Sequence, residues 1–194
     1  LGVDDELQAA LLDPARIDEV LATMPNRGAA SYLHACTHTT FSVNVVDDGP
    51  QMKTNVIPDT VELQVDVRTL PGEGADEVQA HIDAALGDLT DTVAVEIIMN
   101  DPASISRTDN PLWESLQRAV GRPFPTARLT PQMIVGFTDA RVFRQMGSVA
   151  YGAGLFSPEL DSGEFSSRFH GHNERVDIES LRLSTQLWSD VARD

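Results

Sequence analysis

Two histidines separated by one residue, His170 and His172, lie near the end of the 194-residue chain. Such a pair can hold zinc when both rings lie on one face of a strand. Zinc needs three or four ligands, and the other histidines, His34, His38 and His81, give no further pair at a spacing that predicts a ligand. The spacing leaves two interpretations open, a metal ligand or an ordinary polar loop.

Two polar side chains near strand ends, Asn55 and Arg68, could bind an anionic group. Asn55 precedes an apolar pair and Pro58, which favours extended backbone before it, and its amide could donate to a carboxylate or an oxyanion. The simpler alternative is a turn asparagine. Arg68 ends an alternating strand, and its guanidinium matches a carboxylate in two-point contact. Its simpler alternative is an ion pair with Asp66 or another acid.

Two turns could bring backbone N–H groups close to a ligand. The run 136–139, Gly-Phe-Thr-Asp, precedes a helix, where the helix N-terminus favours an anion and Thr138 adds a hydroxyl. Simple capping by Thr138 is compatible with this. Gly152 and Gly154 follow a short apolar segment and lack side chains that would keep a ligand from the backbone. No nucleophile-elbow or phosphate-loop motif is present.

The composition excludes several partners. Thirty acidic residues against fourteen basic ones give a net charge of −16, which argues against nucleic acids and anionic membranes. No apolar run is long enough to span a bilayer. The single cysteine, Cys36, excludes an internal disulfide framework and fits a reducing cytoplasm; in its segment it is expected to be a small buried residue. We therefore expect a cytoplasmic protein.

The elements of the first half predict an antiparallel sheet covered by helices. Two short helices over 4–24, ending at 25–28, precede strands over 41–45 and 61–68, with a further extended piece from Met52. A helix over 75–86, stopped by Gly87, and a strand over 92–99 complete a β-β-α-β series. This order is typical of a two-layer α/β sandwich of ferredoxin-like type.

The second half alternates helices and short strands. A helix after the Asn110 cap, a strand over 132–135, a helix over 139–146, a strand over 148–151, a loop over 152–176 and a last helix over 177–192 indicate a parallel, layered α/β domain. Two strands are too few for a stable sheet, so we expect the others upstream of Leu1. The domain boundary is predicted between 105 and 106, giving domains 1–105 and 106–194.

Five short runs resemble, in order, the zinc-dependent exopeptidase family that includes aminoacylase, carboxypeptidase G, acetylornithine deacetylase, succinyl-diaminopimelate desuccinylase and carnosinase. They cover roughly residues 36–194, and their order makes the resemblance specific. The runs are Thr54-Asn55-Val56-Ile57-Pro58-Asp59-Thr60, Asp66-Val67-Arg68-Thr69-Leu70-Pro71-Gly72, Gly136-Phe137-Thr138-Asp139-Ala140-Arg141, Tyr151-Gly152-Ala153-Gly154 and His170-Gly171-His172-Asn173-Glu174-Arg175.

The resemblance implies a lid that mediates homodimerisation, inserted into a layered α/β catalytic domain with two zinc ions, or cobalt or manganese in their place. His170 matches the family's last zinc ligand, and His172 is then a neighbour. Asn55 matches a lid residue that reaches the partner subunit's active site. Arg68 matches the arginine that grips the substrate carboxylate, and Thr138 matches a turn that binds the same end. The glycines of 151–154 are expected to line the substrate site.

The departures from the family pattern define what this chain lacks. The H-x-D ligand pair, the bridging aspartate, the Glu-Glu pair with the general base and the fourth carboxylate ligand are absent and are expected upstream. The oxyanion histidine of the lid is also absent, since His38 does not match its context, and Phe137 replaces the second glycine of a frequent Gly-Gly-Thr turn.

The resemblance predicts a fragment of a di-zinc metallohydrolase that cleaves the amide bond of small N-acyl amino acids or dipeptides and is inactive as this chain alone. A non-enzymatic dimerisation or binding module of the same fold is the first alternative. A stand-alone metal-binding protein using His170 and His172 is the second.

Overall fold

The computed structural model describes residues 5–47, 49, 53–169 and 171–194, and it combines eight α-helices with a two-stranded sheet in that part of the chain. The chain divides into two compact units. Unit 1 comprises Leu1–Ser104 and Met133–Phe137, and unit 2 comprises Ile105–Gln132 and Thr138–Asp194. The predicted domains, 1–105 and 106–194, stay a prediction about the intact protein. None of the described helices has the length and apolar character needed to cross a bilayer.

Three helices begin unit 1, and they pack through small and aliphatic residues. They are α1 (Asp5–Leu11), α2 (Ile17–Thr23) and α3 (Arg27–Thr37). Ala10, Ile17, Leu21 and Ala30 are buried among them. The prediction that the helical region ends at 25–28 is wrong, because the Asn26 side chain accepts the N–H of Ala29 and so caps α3.

The end of α3 carries the cysteine. Cys36 is free and half-buried, so the expectation of a buried position is also wrong. Helix α3 was hard to predict because it contains Gly28 and several polar residues, so its apolar stripe is weak. Its start depends on a single side-chain cap.

The sheet of unit 1 is an antiparallel pair, β1 (Thr40–Asp47) and β2 (Glu62–Arg68), with an irregularity between Val43 and Val45. Val43 lies opposite Val65, and Val46 lies opposite Leu63, so these four share one face. They are 43–64% exposed. The predicted alternation over 61–68 therefore produces an apolar face that this unit leaves largely open. The predicted extended piece from Met52 begins outside the described residues.

Helix α4 (Ala75–Leu86) follows the sheet with the predicted bounds. The Glu77 carboxylate accepts the N–H of Gly74 at 2.8 Å, and this bond lowers the pKa of Glu77 below its ordinary value. Gly87 has a φ of 53° and ends the helix, after which a 3₁₀ helix runs over Gly87–Thr92.

The strand predicted over 92–99 is wrong, because those residues form no ladder with any segment that the structure describes. Alternating apolar residues favour a strand, but a strand forms only when a neighbouring segment pairs with its backbone through hydrogen bonds. The predicted ferredoxin-like layering, which needs this strand, stays a prediction.

Unit 2 is organised around two long helices. It contains α5 (Pro111–Gly121), α6 (Ala140–Gln145), α7 (Ser162–Ser167) and α8 (Ile178–Val191). The residues buried between α5 and α8 are Leu116, Ala119, Val120 and Leu187. The strands predicted over 132–135 and 148–151 are wrong, again for want of a pairing strand among the described residues. The predicted loop 152–176 contains α7, which the Asp161 side chain caps.

Candidate functional site

Arg68 lies at the end of β2, where the alternation places it on the polar face with Asp66. Its Nε donates to Asp66 Oδ2 at 2.8 Å, and both side chains are about two-fifths exposed, at 40% and 44%. The simpler alternative, an ion pair with Asp66, is therefore present. The bond uses Nε alone, so the two terminal nitrogens stay available to a ligand carboxylate, as far as contacts among the described residues go.

The turn 136–139 contributes to both units. In unit 1, the Phe137 ring lies 5.9 Å from the Arg68 guanidinium carbon, which is within the range of a cation–π contact. In unit 2, Thr138 Oγ1 accepts the N–H of Ala140 at 3.2 Å, as simple capping requires. The structure thus brings Arg68 beside the residue that departs from the family's usual glycine. Binding of an anion by Thr138 stays a prediction.

Asn55 lies in an exposed turn in which the Val56 N–H donates to the carbonyl of Lys53. This is the simpler of its two interpretations. A turn asparagine with an exposed amide is also able to meet a second subunit, so its role toward a partner's active site stays a prediction.

The glycine-containing segment after residue 150 is held against α8 by two serines. Ser184 Oγ accepts the Leu155 N–H at 3.1 Å and donates to the Leu155 carbonyl at 2.8 Å. Ser180 Oγ accepts the Ser157 N–H at 2.9 Å. Hydroxyls on a helix therefore satisfy backbone groups that a neighbouring strand would otherwise satisfy. A side chain at Gly154 would contact Phe156 and Ser184.

The start of the same segment is fixed by Tyr151. The Asn110 side-chain amide donates to the Tyr151 hydroxyl at 2.5 Å, and that hydroxyl donates to the Arg107 carbonyl. The Trp113 ring meets the Tyr151 ring edge-on at 5.4 Å. The predicted ligand-facing glycines, Gly152 and Gly154, are exposed, and they lie between these two anchored ends.

An ion pair closes the segment that carries the two late histidines. The Arg168 guanidinium donates to Asp177 Oδ2 at 2.7 Å and to Glu164 Oε1 at 2.6 Å. Its side chain is only 12% exposed. Because Arg168 and Asp177 flank residues 169–176, this pair fixes both ends of that segment. His170, the predicted zinc ligand, lies outside the described residues, and His172 is exposed.

Asp177 combines this ion pair with a helix cap. Its Oδ1 accepts the Ser180 N–H and its Oδ2 accepts the Ser180 hydroxyl, both at 2.7 Å. These bonds, with a smaller contribution from Arg168, lower the pKa of Asp177 from its ordinary 3.8 to about 2. The carboxylate is therefore ionised wherever the folded protein is studied near neutral pH.

The sequence predicts Asp177 as a helix start, but it carries no signal for the residues that join Asp177 to the rest of the site. Arg168, Ser180 and Ser184 carry no motif, and only their partners show what they do. A second omission concerns His34 and His38, which lie one helical turn apart. That spacing brings two histidines together on a helix, and it was overlooked because residues 27–37 were not predicted as helical.

Comparison with known proteins adds to this geometry. Residues 5–93 match the peptidase dimerisation domain of the M20 peptidases. Curated relatives also match residues of the chain that lie beyond that segment. These matches confirm that the chain resembles the M20 peptidases, as the five short runs predicted.

Three curated relatives show how far the similarity extends along the chain. The probable carboxypeptidase S-like 2 of Dictyostelium discoideum is 26% identical over 180 residues, which is 92% of this chain and 32% of that protein. The N-fatty-acyl-amino acid synthase/hydrolase of Xenopus tropicalis is 30% identical over 83% of this chain and 30% of its own length. The succinyl-diaminopimelate desuccinylase of Helicobacter hepaticus is 28% identical over 66% of this chain and 29% of its own.

The chain therefore spans about a third of the length of the curated relatives that it matches. No solved structure is significantly similar to it.

Proposed function

We propose that this chain is the lid and the C-terminal catalytic-domain segment of an M20-type metallohydrolase that cleaves the amide bond of small N-acyl amino acids or dipeptides. The observation that carries the proposal is the extent of the similarity. The Dictyostelium relative matches 92% of the chain, well past the dimerisation domain at 5–93. A module that served dimerisation alone has no need to keep the later segment.

Arg68 supplies the substrate-binding chemistry of the proposal. Its guanidinium is oriented by Asp66, is flanked by Phe137 and is still 40% exposed. A cation held in this way loses little conformational freedom when it binds a carboxylate, and two parallel N–H donors match the two carboxylate oxygens. The free carboxylate of an N-acyl amino acid or dipeptide fits this arginine.

The proposed metal requirement rests on His170, which matches a zinc ligand of the family. A single imidazole, His170, falls short of the three or four ligands that zinc needs, so this chain would hold one side of an ion whose other ligands lie elsewhere in the intact enzyme. Two zinc ions, or cobalt or manganese, would polarise the amide carbonyl and a bound water. The contribution of this chain is to hold the segment 169–176 between Arg168 and Asp177.

The proposal is tested in the intact enzyme with Arg68→Ala. Loss of a charge-assisted contact to the substrate carboxylate reduces kcat/KM for N-acyl amino acids roughly 10- to 100-fold. Arg107→Ala is the matched control, because Arg107 also pairs with an aspartate two residues away, Asp109, but is 85% exposed and outside the family's runs. Unchanged kcat/KM in Arg68→Ala across a panel of acyl-amino-acid substrates contradicts the substrate assignment.

A homodimer through the lid is the second part of the proposal. The apolar face of the sheet, formed by Val43, Val46, Leu63 and Val65, is about half exposed in unit 1. An isolated two-stranded sheet is marginal in water, and a second copy that covers this face removes apolar surface from solvent. The peptidase dimerisation domain match spans both strands.

The dimer is tested by adding a charge to each face of β2. Leu63→Lys is expected to weaken dimerisation at least about tenfold, because a lysine is costly to bury at an interface. Gln64→Lys, the next residue on the opposite face, adds the same charge and leaves the dimer intact. Analytical ultracentrifugation over a concentration series measures both. A monomeric wild-type protein, or a Leu63→Lys dimer of unchanged affinity, contradicts this part.

The alternative function is a non-enzymatic dimerisation or binding module of the same fold. The exposed apolar face favours it, since that face serves dimerisation with or without catalysis. An intact protein that dimerises but hydrolyses no acyl amino acid or dipeptide in the presence of zinc, cobalt or manganese supports this alternative. A cytoplasmic location is proposed on the single cysteine alone.

A further inference from the structure

Two helices of unit 1 bring together three side chains that belong to none of the family's runs. Asp18 lies on α2, His34 lies on α3, and His38 follows the last residue of α3. One ligand atom from each lies within 4.8 Å of the other two. Imidazole and carboxylate are common ligands of first-row transition metal ions in proteins.

The backbone beneath these side chains is fixed. Ile17 and Leu21 on α2 and Ala30 on α3 are buried, so packing holds the two helices in place. On α3, the i, i+4 spacing stacks the rings of His34 and His38, with centroids 4.3 Å apart and planes 6° from parallel. Imidazole lone pairs lie in the ring plane, so His34 has to turn out of this stack before both rings can bind one ion, and its exposed position allows that rotation.

The surroundings of His38 are compatible with a metal ion on Nε2. Its Nδ1 lies 3.3 Å from the His34 carbonyl, which is an acceptor, and 2.9 Å from the Thr37 hydroxyl, which can donate or accept. Its Nε2 lies 3.2 Å from Asp18 Oδ1, which is an acceptor. When the ring proton is on Nδ1 it donates to the His34 carbonyl, as in many metal-ligating histidines, and the Nε2 lone pair faces Asp18, where an ion can bind both.

The distances suit a small ion. Ligands about 2.1 Å from a tetrahedral zinc are about 3.4 Å apart, close to the 3.2 Å between His38 Nε2 and Asp18 Oδ1. The Asp18 side chain is 78% exposed and His34 is also exposed, so both are free to close the remaining gap by rotation. A groove of about 290 Å³ beside His38, lined by Leu11, Leu12, Pro14, Ile17 and Thr37, leaves room for a water ligand.

We propose that Asp18, His34 and His38 form a binding site for a divalent first-row transition metal ion, with water completing the coordination. Two imidazoles favour zinc, cobalt, nickel or copper over calcium and magnesium, which prefer oxygen ligands. The net charge of −16 further favours cation binding. The competing arrangement is a proton-mediated Asp18–His38 ion pair without metal.

Zn²⁺ titration of the metal-free 194-residue chain by isothermal calorimetry tests the site. Because His170 and His172 are also able to bind zinc, the titration uses a His170→Gln, His172→Gln background. One saturable Zn²⁺ equivalent is expected, with at least about tenfold weaker binding in both His34→Gln and His38→Gln. His81→Gln, a histidine of α4 that contacts Phe41, is the matched control and leaves binding unchanged.

Co²⁺ provides a second measurement that reports on the ligands themselves. Bound in this site, Co²⁺ gives visible ligand-field absorption that shifts in Asp18→Asn and is lost in the two histidine variants. Circular dichroism of each variant confirms that it is folded, as expected for substitutions at half-buried or exposed positions. Absence of saturable Zn²⁺ binding, or binding that survives both histidine substitutions, overturns the proposal.

Discussion

The small, buried side chain of Ser180 links three parts of unit 2, which are helix α8, the segment at Ser157 and the Asp177 cap. It is 1% exposed; its hydroxyl accepts the Ser157 N–H at 2.9 Å and donates to Asp177 Oδ2 at 2.7 Å. Ser180→Ala removes both bonds without changing the backbone of α8. The substitution therefore separates the hydroxyl's contribution from that of helix packing.

The expected loss of stability follows from the group left without a partner. An unsatisfied, partly buried N–H costs about 1–3 kcal/mol. The higher helix propensity of alanine offsets this loss of stability by at most about 0.7 kcal/mol. The free energy of unfolding is therefore expected to fall by about 0.3–2.3 kcal/mol, as the difference between these two effects. The Ser180 hydroxyl is also the largest cause of the low pKa of Asp177, so that pKa should rise from about 2 toward 3.8.

Two measurements check these effects, urea denaturation for the free energy of unfolding and carboxyl-carbon NMR titration for the pKa of Asp177. The matched control is Thr185→Ala on the same helix, since the Thr185 hydroxyl donates at 2.7 Å to the Leu181 carbonyl of its own helix. That variant should stay within about 0.5 kcal/mol of wild type. The reasoning fails if Ser180→Ala unfolds like the control and Asp177 still titrates near 2.

Three further predictions address the same unit. The folded-state pKa of Asp177, about 2, lies below its ordinary 3.8, so the stability it contributes is complete above about pH 4 and is lost as the pH falls toward 2. Urea denaturation at a series of pH values should show this loss in wild type, and Asp177→Asn should reduce it. Leu187→Ala, at a position 2% exposed between α5 and α8, should cost about 2–5 kcal/mol in urea denaturation. Leu181→Ala, at a position 56% exposed, should cost far less, and equal losses would contradict the assigned core. Asn110→Ala removes the cap of α5 and the bond to Tyr151, and it should lower the thermal midpoint with a loss of about 1–2 kcal/mol; an unchanged midpoint contradicts the cap.

The helices were largely predictable because their signals are local. Asn110 with Pro111, Asp177, and Gly87 mark helix ends through contacts within three or four residues, and the structure places α5, α8 and α4 there. Helix α3 was missed because Pro25 and Gly28 around its Asn26 cap are equally typical of a turn. Strands were less predictable. The alternating segment 61–68 pairs with β1, whereas the apolar runs over 92–99, 132–135 and 148–151 have no pairing strand within the described part of the chain.

The candidate site divides in the same way. Arg68 could be placed on the polar face of its strand from the alternation alone, and Asp66 beside it from the two-residue period. The approach of Phe137 to Arg68 could not, because no local pattern states which distant residue a strand end will meet.

The amino-acid sequence by itself determined the resemblance to the M20 peptidases, the acidic net charge, most helix ends and the residues that resemble the family's substrate-binding set. Only the tertiary structure decided that Ser180 and Ser184 replace a strand partner, that Arg168 and Asp177 close the segment 169–176, and that Asp18 meets His38. The physical reason is the separation along the chain over which each kind of interaction acts. Capping and backbone preferences act within a few residues, whereas these hydrogen bonds and ion pairs form only after packing has paired the elements that carry them.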